Sequence, residues 1–120
     1  VAAANAATLA QALLVGERCG LDLDALIELL GATASASRMV DLKARPMAER
    51  DYTTLFKLEQ MLKDVRLCLE QAHEAHAPFP AAAAAGELLE GGMARGLGEA
   101  DFAAVKEVVD GLAGRPAVSP

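Results

Sequence analysis

Leu58, Leu62, Val65, Leu69 and Ala72 recur without interruption at alternating steps of four and three, a spacing that only an α-helix turns into one continuous face. The pattern predicts a helix from Leu55 to about Ala75, packed along its whole length and placed at the centre of the domain. Nowhere does the chain show the two-residue alternation of a half-buried strand. The composition is 53% hydrophobic but only 3% aromatic, with no Trp and a large share of Ala and Leu. Such helices pack closely through small side chains, and a β-sandwich or barrel is excluded. At 120 residues the chain suits one domain with a real core, and is too short for a nucleotide-binding domain plus a second one.

The fold expected is therefore all-α, with about six helices around one long central helix. A first helix over residues 1–19 places Thr8, Leu9, Ala12, Leu13, Val15, Gly16 and Cys19 on helical spacing, and Gly20 suits the left-handed residue that ends it. Asp22 can cap a second, amphipathic helix through Leu23, Leu26, Ile27 and Leu30, which Gly31 stops. Ser35 or Ser37 caps a third carrying Met39, Val40 and Leu42, which Pro46 ends or kinks. A polar connector, Glu49 to Thr54, leads into the Leu55–Ala75 helix. Ala77-Pro78-Phe79-Pro80 breaks the chain before a helix that turns Ala84, Ala85, Leu88 and Leu89 inward, and the glycines at 91, 92, 96 and 98 end that segment. A last helix from about Asp101 to Leu112 buries Phe102, Val105, Val108 and Val109. Residues 1–113 thus form the helical domain, and the Gly/Pro/Ser-containing stretch 114–120 is expected to be a flexible tail.

Eleven Lys and Arg against seventeen Asp and Glu give a net charge of −6, the wrong sign for gripping a phosphate backbone, so nucleic acid is not an expected partner. The uncharged run from Val1 to Gly16 is interrupted by Asn5, Thr8 and Gln11 and falls short of a membrane span. It has no basic leader of the secretory kind, and the opening in mid-helical pattern looks like that of a fragment. Cys19 and Cys68 stand apart inside helical patterns, which suits a reducing cytoplasm and small buried hydrophobes better than disulfides or a zinc site. Glu70 and His73 have the i,i+3 spacing of carboxylate-bridged metal bundles, with Glu74 and His76 close by. Such a site needs two such motifs and further inward carboxylates, and only one is present. His73 and His76 read better as cations favoured by a helix C-terminus or as surface groups, and no metal site is assigned.

Phe56, Gln60 and Lys63 follow at steps of four and three on a stripe offset from the apolar seam. A ring, an amide and a cation on one edge can line a polar cleft, with Lys63 attracting a carboxylate or phosphate and Asp64 beside it. The same residues also fit a solvated helix edge on which Glu59 pairs with Lys63 for about 0.3–0.5 kcal/mol. No glycine-rich phosphate loop follows a strand, and no nucleophilic triad carries a supporting signature.

Four segments, taken in order, resemble the C-terminal helical domain of the β-hydroxyacid dehydrogenases. This is the 3-hydroxyisobutyrate dehydrogenase family, with tartronate semialdehyde and succinic semialdehyde (glyoxylate) reductases among its relatives and a C-terminal domain like that of 6-phosphogluconate dehydrogenase. They are the helix end and cap from Leu9 to Asp22, Phe56 with Lys63-Asp64, the Ala77-Pro78-Phe79-Pro80 break before an Ala-rich helix, and Gly96 to Val105 with its Asp101-Phe102 step. The resemblance covers about residues 5–112. It implies NAD(P)-dependent oxidation of a small 3-hydroxy acid, or the reverse reduction of a semialdehyde, with the cofactor carrying the hydride. It also implies an N-terminal Rossmann domain that binds NAD or NADP, which this segment alone would not hold, and a homo-oligomer of at least two copies. Phe56 would line the substrate and nicotinamide cleft, Lys63 would contact substrate or cofactor, and Asp64 would help hold the catalytic region. No catalytic residue falls inside the chain: with Gln11 in place of the family's usual Glu, the general acid/base Lys aligns about six residues upstream of Val1, and Asn5 is not the Asn that follows it. The alternative is a stand-alone, non-catalytic helical dimerisation or interaction module.

Overall fold

In the computed structural model, which describes residues 1–117, the chain folds into six α-helices: α1 (Ala2–Arg18), α2 (Leu23–Ala32), α3 (Arg38–Glu49), α4 (Leu58–Glu74), α5 (Pro80–Ala94) and α6 (Val105–Leu112). A 3₁₀ turn, Phe102–Ala104, leads into α6, and among the described residues there is no strand beyond one isolated bridge between Lys57 and Asp101. The helix ends follow their local chemistry. Asp22 accepts from the Asp24 amide at 3.1 Å, and Ser37, the better placed of the two candidate serines, accepts from Val40 at 3.2 Å. Gly20 takes φ +74° while the Gly20 and Leu21 amides donate to the Glu17 and Gly16 carbonyls, which closes α1 with a left-handed residue no other side chain enters as cheaply.

The long helix at the centre is α1, not the expected α4. Ala3, Ala6, Ala7, Leu9, Ala10 and Leu13 of α1 are buried, and α1 packs on α2, α3, α5 and α6. Small side chains let three or four neighbours approach one axis, so the alanines mark the hub more reliably than the leucines do. In α4, Leu58, Leu62 and Val65 are buried, but Leu67 and Cys68 are exposed and Leu69 is only partly covered. It packs chiefly on α5 and the 3₁₀ turn. The α4–α5 approach is close because Gly92 lies under Leu58, where an added Cβ would stand 2.5 Å from Leu58 Cδ1.

Other expectations change in detail. Pro46 does not end α3: the helix runs on to Glu49, and Arg50 closes it in the left-handed region at φ 55°. The extra turn buries Met47 completely, an apolar gain of about 1.5–3 kcal/mol that offsets the lost amide donor. Leu42 is at the surface, as are Val15 and both cysteines, Cys19 and Cys68. In α5, Ala82, Ala85, Gly86 and Leu89 face inward while Ala84 is exposed. Of the stretch expected to be loose, Arg115 donates to Glu17 and Asp110, and the Pro116 carbonyl accepts from Arg50, so these residues are held to the body. Residues 118–120 lie outside the described residues.

Every residue from Asp101 to Asp110 is buried, and three of them are acids. Lys106, fully buried, bonds Asp110 at 2.8 and 2.9 Å and Glu17 at 3.0 Å. Arg115 completes the cluster on the same two carboxylates at 3.0 and 3.2 Å. On the other side, Glu107 receives a two-pronged pair from Arg50 at 2.6 and 3.0 Å and the Tyr52 hydroxyl. Burial first, and then the bond to Glu107, push the Tyr52 phenol well above its ordinary range.

Candidate functional site

The helix expected from Leu55 begins three residues later, at Leu58. Leu55 and Phe56 form a bend and Lys57 an extended step into the helix, so Phe56 does not share a helical stripe with Gln60 and Lys63. What fixes the entry is the segment before α6. The Asp101 and Phe102 amides donate to the Tyr52 and Phe56 carbonyls at 3.1 and 3.0 Å, and the Leu58 and Glu59 amides donate to Ala100 and Gly98 at 2.8 and 3.0 Å.

Asp101 is the hub of this junction. Its carboxylate accepts from the Leu55 and Phe56 amides at 3.1 and 3.0 Å, from Ala103 at 2.8 Å, and from Lys43 Nζ at 2.9 and 3.1 Å. Both charged side chains are buried. Burial works to raise the Asp101 carboxyl, but bonds from Ala103, Phe56, Lys43 and Leu55 together hold it below the ordinary carboxylate range. The Lys43 ammonium also lies 4.5 Å from the centre of the Phe102 ring, a favourable cation–π geometry. Phe102 in turn meets Phe56 edge to face, with centroids 6.1 Å apart and planes at 85°. Phe56 is thereby held at the surface with 38% of its area exposed.

Lys63 and Asp64 are exposed on α4, with Gln60 on the same outward side as Lys63. Neither takes part in an ion pair among the described residues: Glu59, the expected partner of Lys63, instead lies 3.9 Å from Lys57. The arrangement thus offers a half-exposed aromatic ring on a rigid support and, further along α4, an uncompensated cation. It can cover an apolar planar group and attract an anion, but it contains no proton-transfer pair. His73 and His76 are exposed at the far end of α4, and no group of three or more His, Cys, Asp or Glu among the described residues is placed to hold a metal. No described helix is long and apolar enough to cross a membrane. Asp101-Phe102 stands out in the sequence as a motif but its partner does not, because Lys43 reads as an ordinary surface lysine of an amphipathic helix.

Residues 1–109 match the family model described as the NAD-binding domain of NADP-dependent 3-hydroxyisobutyrate dehydrogenase, and the chain belongs to that family. A 2-(hydroxymethyl)glutarate dehydrogenase of Eubacterium barkeri is 34% identical over 92% of this chain and 37% of its own length. The chloroplastic glyoxylate/succinic semialdehyde reductase 2 of Arabidopsis thaliana is 35% identical over 92% of this chain and 31% of its own length. Among solved structures, a 3-hydroxyisobutyrate dehydrogenase of Salmonella typhimurium superimposes with a TM-score of 0.85 at 25% identity, covering 89% of this chain and 38% of that one. The chain spans about a third of the length of the curated relatives it matches.

Proposed function

We propose that this chain is the substrate-side and dimerisation domain, residues 1–113, of an NAD(P)-dependent dehydrogenase. The whole protein would oxidise a small 3-hydroxy acid or reduce the corresponding semialdehyde. The observation that carries the reading is the half-exposed Phe56 ring, held on Asp101 and Phe102 at the head of α4, in a chain that matches the NADP-dependent 3-hydroxyisobutyrate dehydrogenase family model.

The chain's residues fit one wall of a dinucleotide site and not its phosphate cradle, since no strand–glycine loop–helix occurs among the described residues. A Rossmann domain would supply that cradle, and a general acid/base Lys preceding Val1 would handle the hydroxyl proton. When bound, NAD or NADP supplies the hydride acceptor or donor. Phe56 covers the reacting region and excludes water from it. Lys63 draws in an anionic group of substrate or cofactor, and the lack of an acidic partner leaves its charge free for that task. Asp64 helps hold the catalytic region.

Between α1, α5 and α6 runs an apolar groove of about 690 Å³ lined by Leu14, Val15, Leu88, Val109 and Leu112, with Val15 61% and Leu112 76% exposed. Apolar exposure of this kind supports a homodimer. The two cysteines, free and far apart in sequence, suit the cytoplasm.

The test is turnover by the whole gene product that carries this chain. NADH and NADPH are each offered with glyoxylate and succinic semialdehyde, and NAD and NADP with 3-hydroxyisobutyrate, L-threonate and 2-(hydroxymethyl)glutarate. Cofactor-linked turnover of at least one substrate is expected. A folded product that turns over none of them and binds neither cofactor would overturn the reading in favour of a non-catalytic interaction module.

A further inference from the structure

Lys43 and Asp101 are a costly way to hold a helical domain together. A pair of charges taken out of water is on balance no more stabilising than apolar side chains of the same shape. Asp101 nevertheless turns its carboxylate on the two amides, Leu55 and Phe56, of a segment with almost no apolar anchor of its own. Leu55 is 78% exposed, and Thr53 and Thr54 are exposed as well. The core does not pull this segment into place. Its position is set by the carboxylate from behind, by the main-chain bonds of Asp101 and Phe102 at its ends, and by the Thr54 hydroxyl, which donates to the Glu99 carbonyl at 2.7 Å. The same lysine that neutralises Asp101 presses on Phe102, against whose ring the Phe56 edge rests. Backbone and ring of Phe56 are therefore both referred to one buried pair.

The geometry points to the Lys43–Asp101 pair as a positioning device, which sets the place of the Phe56 ring and so the width of the cleft that the ring lines. This rests on the proposed role of Phe56 in the cleft. Neither Lys43 nor Asp101 touches substrate or cofactor; both act through Phe56. Placement of groups at a reacting centre is steep in its effect, since a shift of about 1 Å can cost on the order of a hundredfold in rate.

The experiment uses the whole gene product in four forms: unaltered, Phe56→Leu, the paired Lys43→Met/Asp101→Leu, which removes the acceptor as well as the charge, and the triple combination. Replacing the pair together avoids stranding one buried charge and keeps the domain folded, which the exchange of core amides such as Val105 and Val109 verifies. Hydrogen exchange at the Leu55 and Phe56 amides is expected to quicken by about ten- to a hundredfold in the paired variant, with the core unaffected. Steady-state turnover of succinic semialdehyde with NADPH, or of whichever pair the whole enzyme uses best, is expected to lose at least about tenfold in kcat/KM both for Phe56→Leu and for the pair. The triple combination should lose little beyond Phe56→Leu alone, because a device that works through the ring has nothing left to place.

Unchanged exchange at Leu55 and Phe56 would overturn the clamp whatever the kinetics. A paired variant with normal kcat/KM, beside a damaged Phe56→Leu enzyme, would overturn the positioning role and leave the cleft reading standing. Losses that multiply in the triple variant would mark the pair as merely structural. A Phe56→Leu enzyme with unaltered kinetics would remove the cleft role and the inference with it.

Discussion

Removing either member of the fully buried Lys106–Asp110 pair should be far more damaging than removing both. Lys106 has no exposed side-chain area and Asp110 only 1%, and the pair bonds at 2.8 and 2.9 Å across one helical turn. With Asp110→Leu, a variant that repeats the fork of the aspartate without its charge, Lys106 and Arg115 are left to share Glu17, which is 23% exposed. With Lys106→Met, Asp110 and Glu17 are left to share Arg115 in the same way. Breaking a buried pair from one side costs about 3–5 kcal/mol, a large part of a typical stability of roughly 5–15 kcal/mol. The double variant Lys106→Met/Asp110→Leu leaves the Glu17–Arg115 pair at 3.0 Å intact and strands no charge, so it should lie within about 1 kcal/mol of the parent. Urea unfolding of the four proteins measures the cycle. The additive expectation from the single changes is a loss of about 6–10 kcal/mol, so the coupling should be about 5 kcal/mol or more. A double variant as unstable as the sum of its parts, or an Asp110→Leu protein that loses less than about 1 kcal/mol, would refute the reasoning.

Two further outcomes follow from single groups. Gly20→Ala meets no atom within 4 Å and is opposed only by the φ of +74°. It should cost about 1 kcal/mol, and a neutral or stabilising result in thermal unfolding would contradict the left-handed ending of α1. Asp101 has a folded-state pKa held below its unfolded value, so its stabilising contribution is fully present above the unfolded pKa and is lost as pH falls through the folded one. Unfolding free energy should therefore decline below about pH 4, and less steeply in the Lys43→Met/Asp101→Leu protein. Equal acid slopes in the two proteins would contradict the role given to the carboxylate.

The helical class, the six elements and most of their caps were legible because each depends on residues within one turn: Asp22, Ser37, Gly20 and Pro80 act on their immediate neighbours. Four features were not legible, and each has a long-range cause. Pro46 carries a local signal to stop α3, which burial of Met47 overrides. The leucine seam of α4 reads as central, but whether a seam is covered along its full length depends on partners elsewhere in the chain, and only α5 and the 3₁₀ turn cover this one. Phe56 resembles a helical residue in register with Lys63 until Asp101, 45 residues further on, is found to hold its amide in a bend before the helix. Lys43 and Lys106 look like solvated lysines on amphipathic helices, and their burial follows from acids on the last helical segment. The i,i+4 spacing of Lys106 and Asp110 was the one local hint. Of the proposed site, the residue types at 56, 63 and 64 were readable from motif order, whereas the support beneath Phe56 appears only in three dimensions.

The central claim is that this domain forms one wall of a hydroxy-acid dehydrogenase site, with Lys63 free to meet an anionic group there. It is tested most directly by kcat/KM of the Lys63→Ala variant in the whole gene product, assayed with its best cofactor and substrate pair. Lys63 is exposed and makes no ion pair among the described residues, so the substitution should leave thermal unfolding unchanged. A loss of at least about tenfold in kcat/KM is expected, the scale of one charge-assisted contact. An unchanged kcat/KM in an equally stable protein would contradict it.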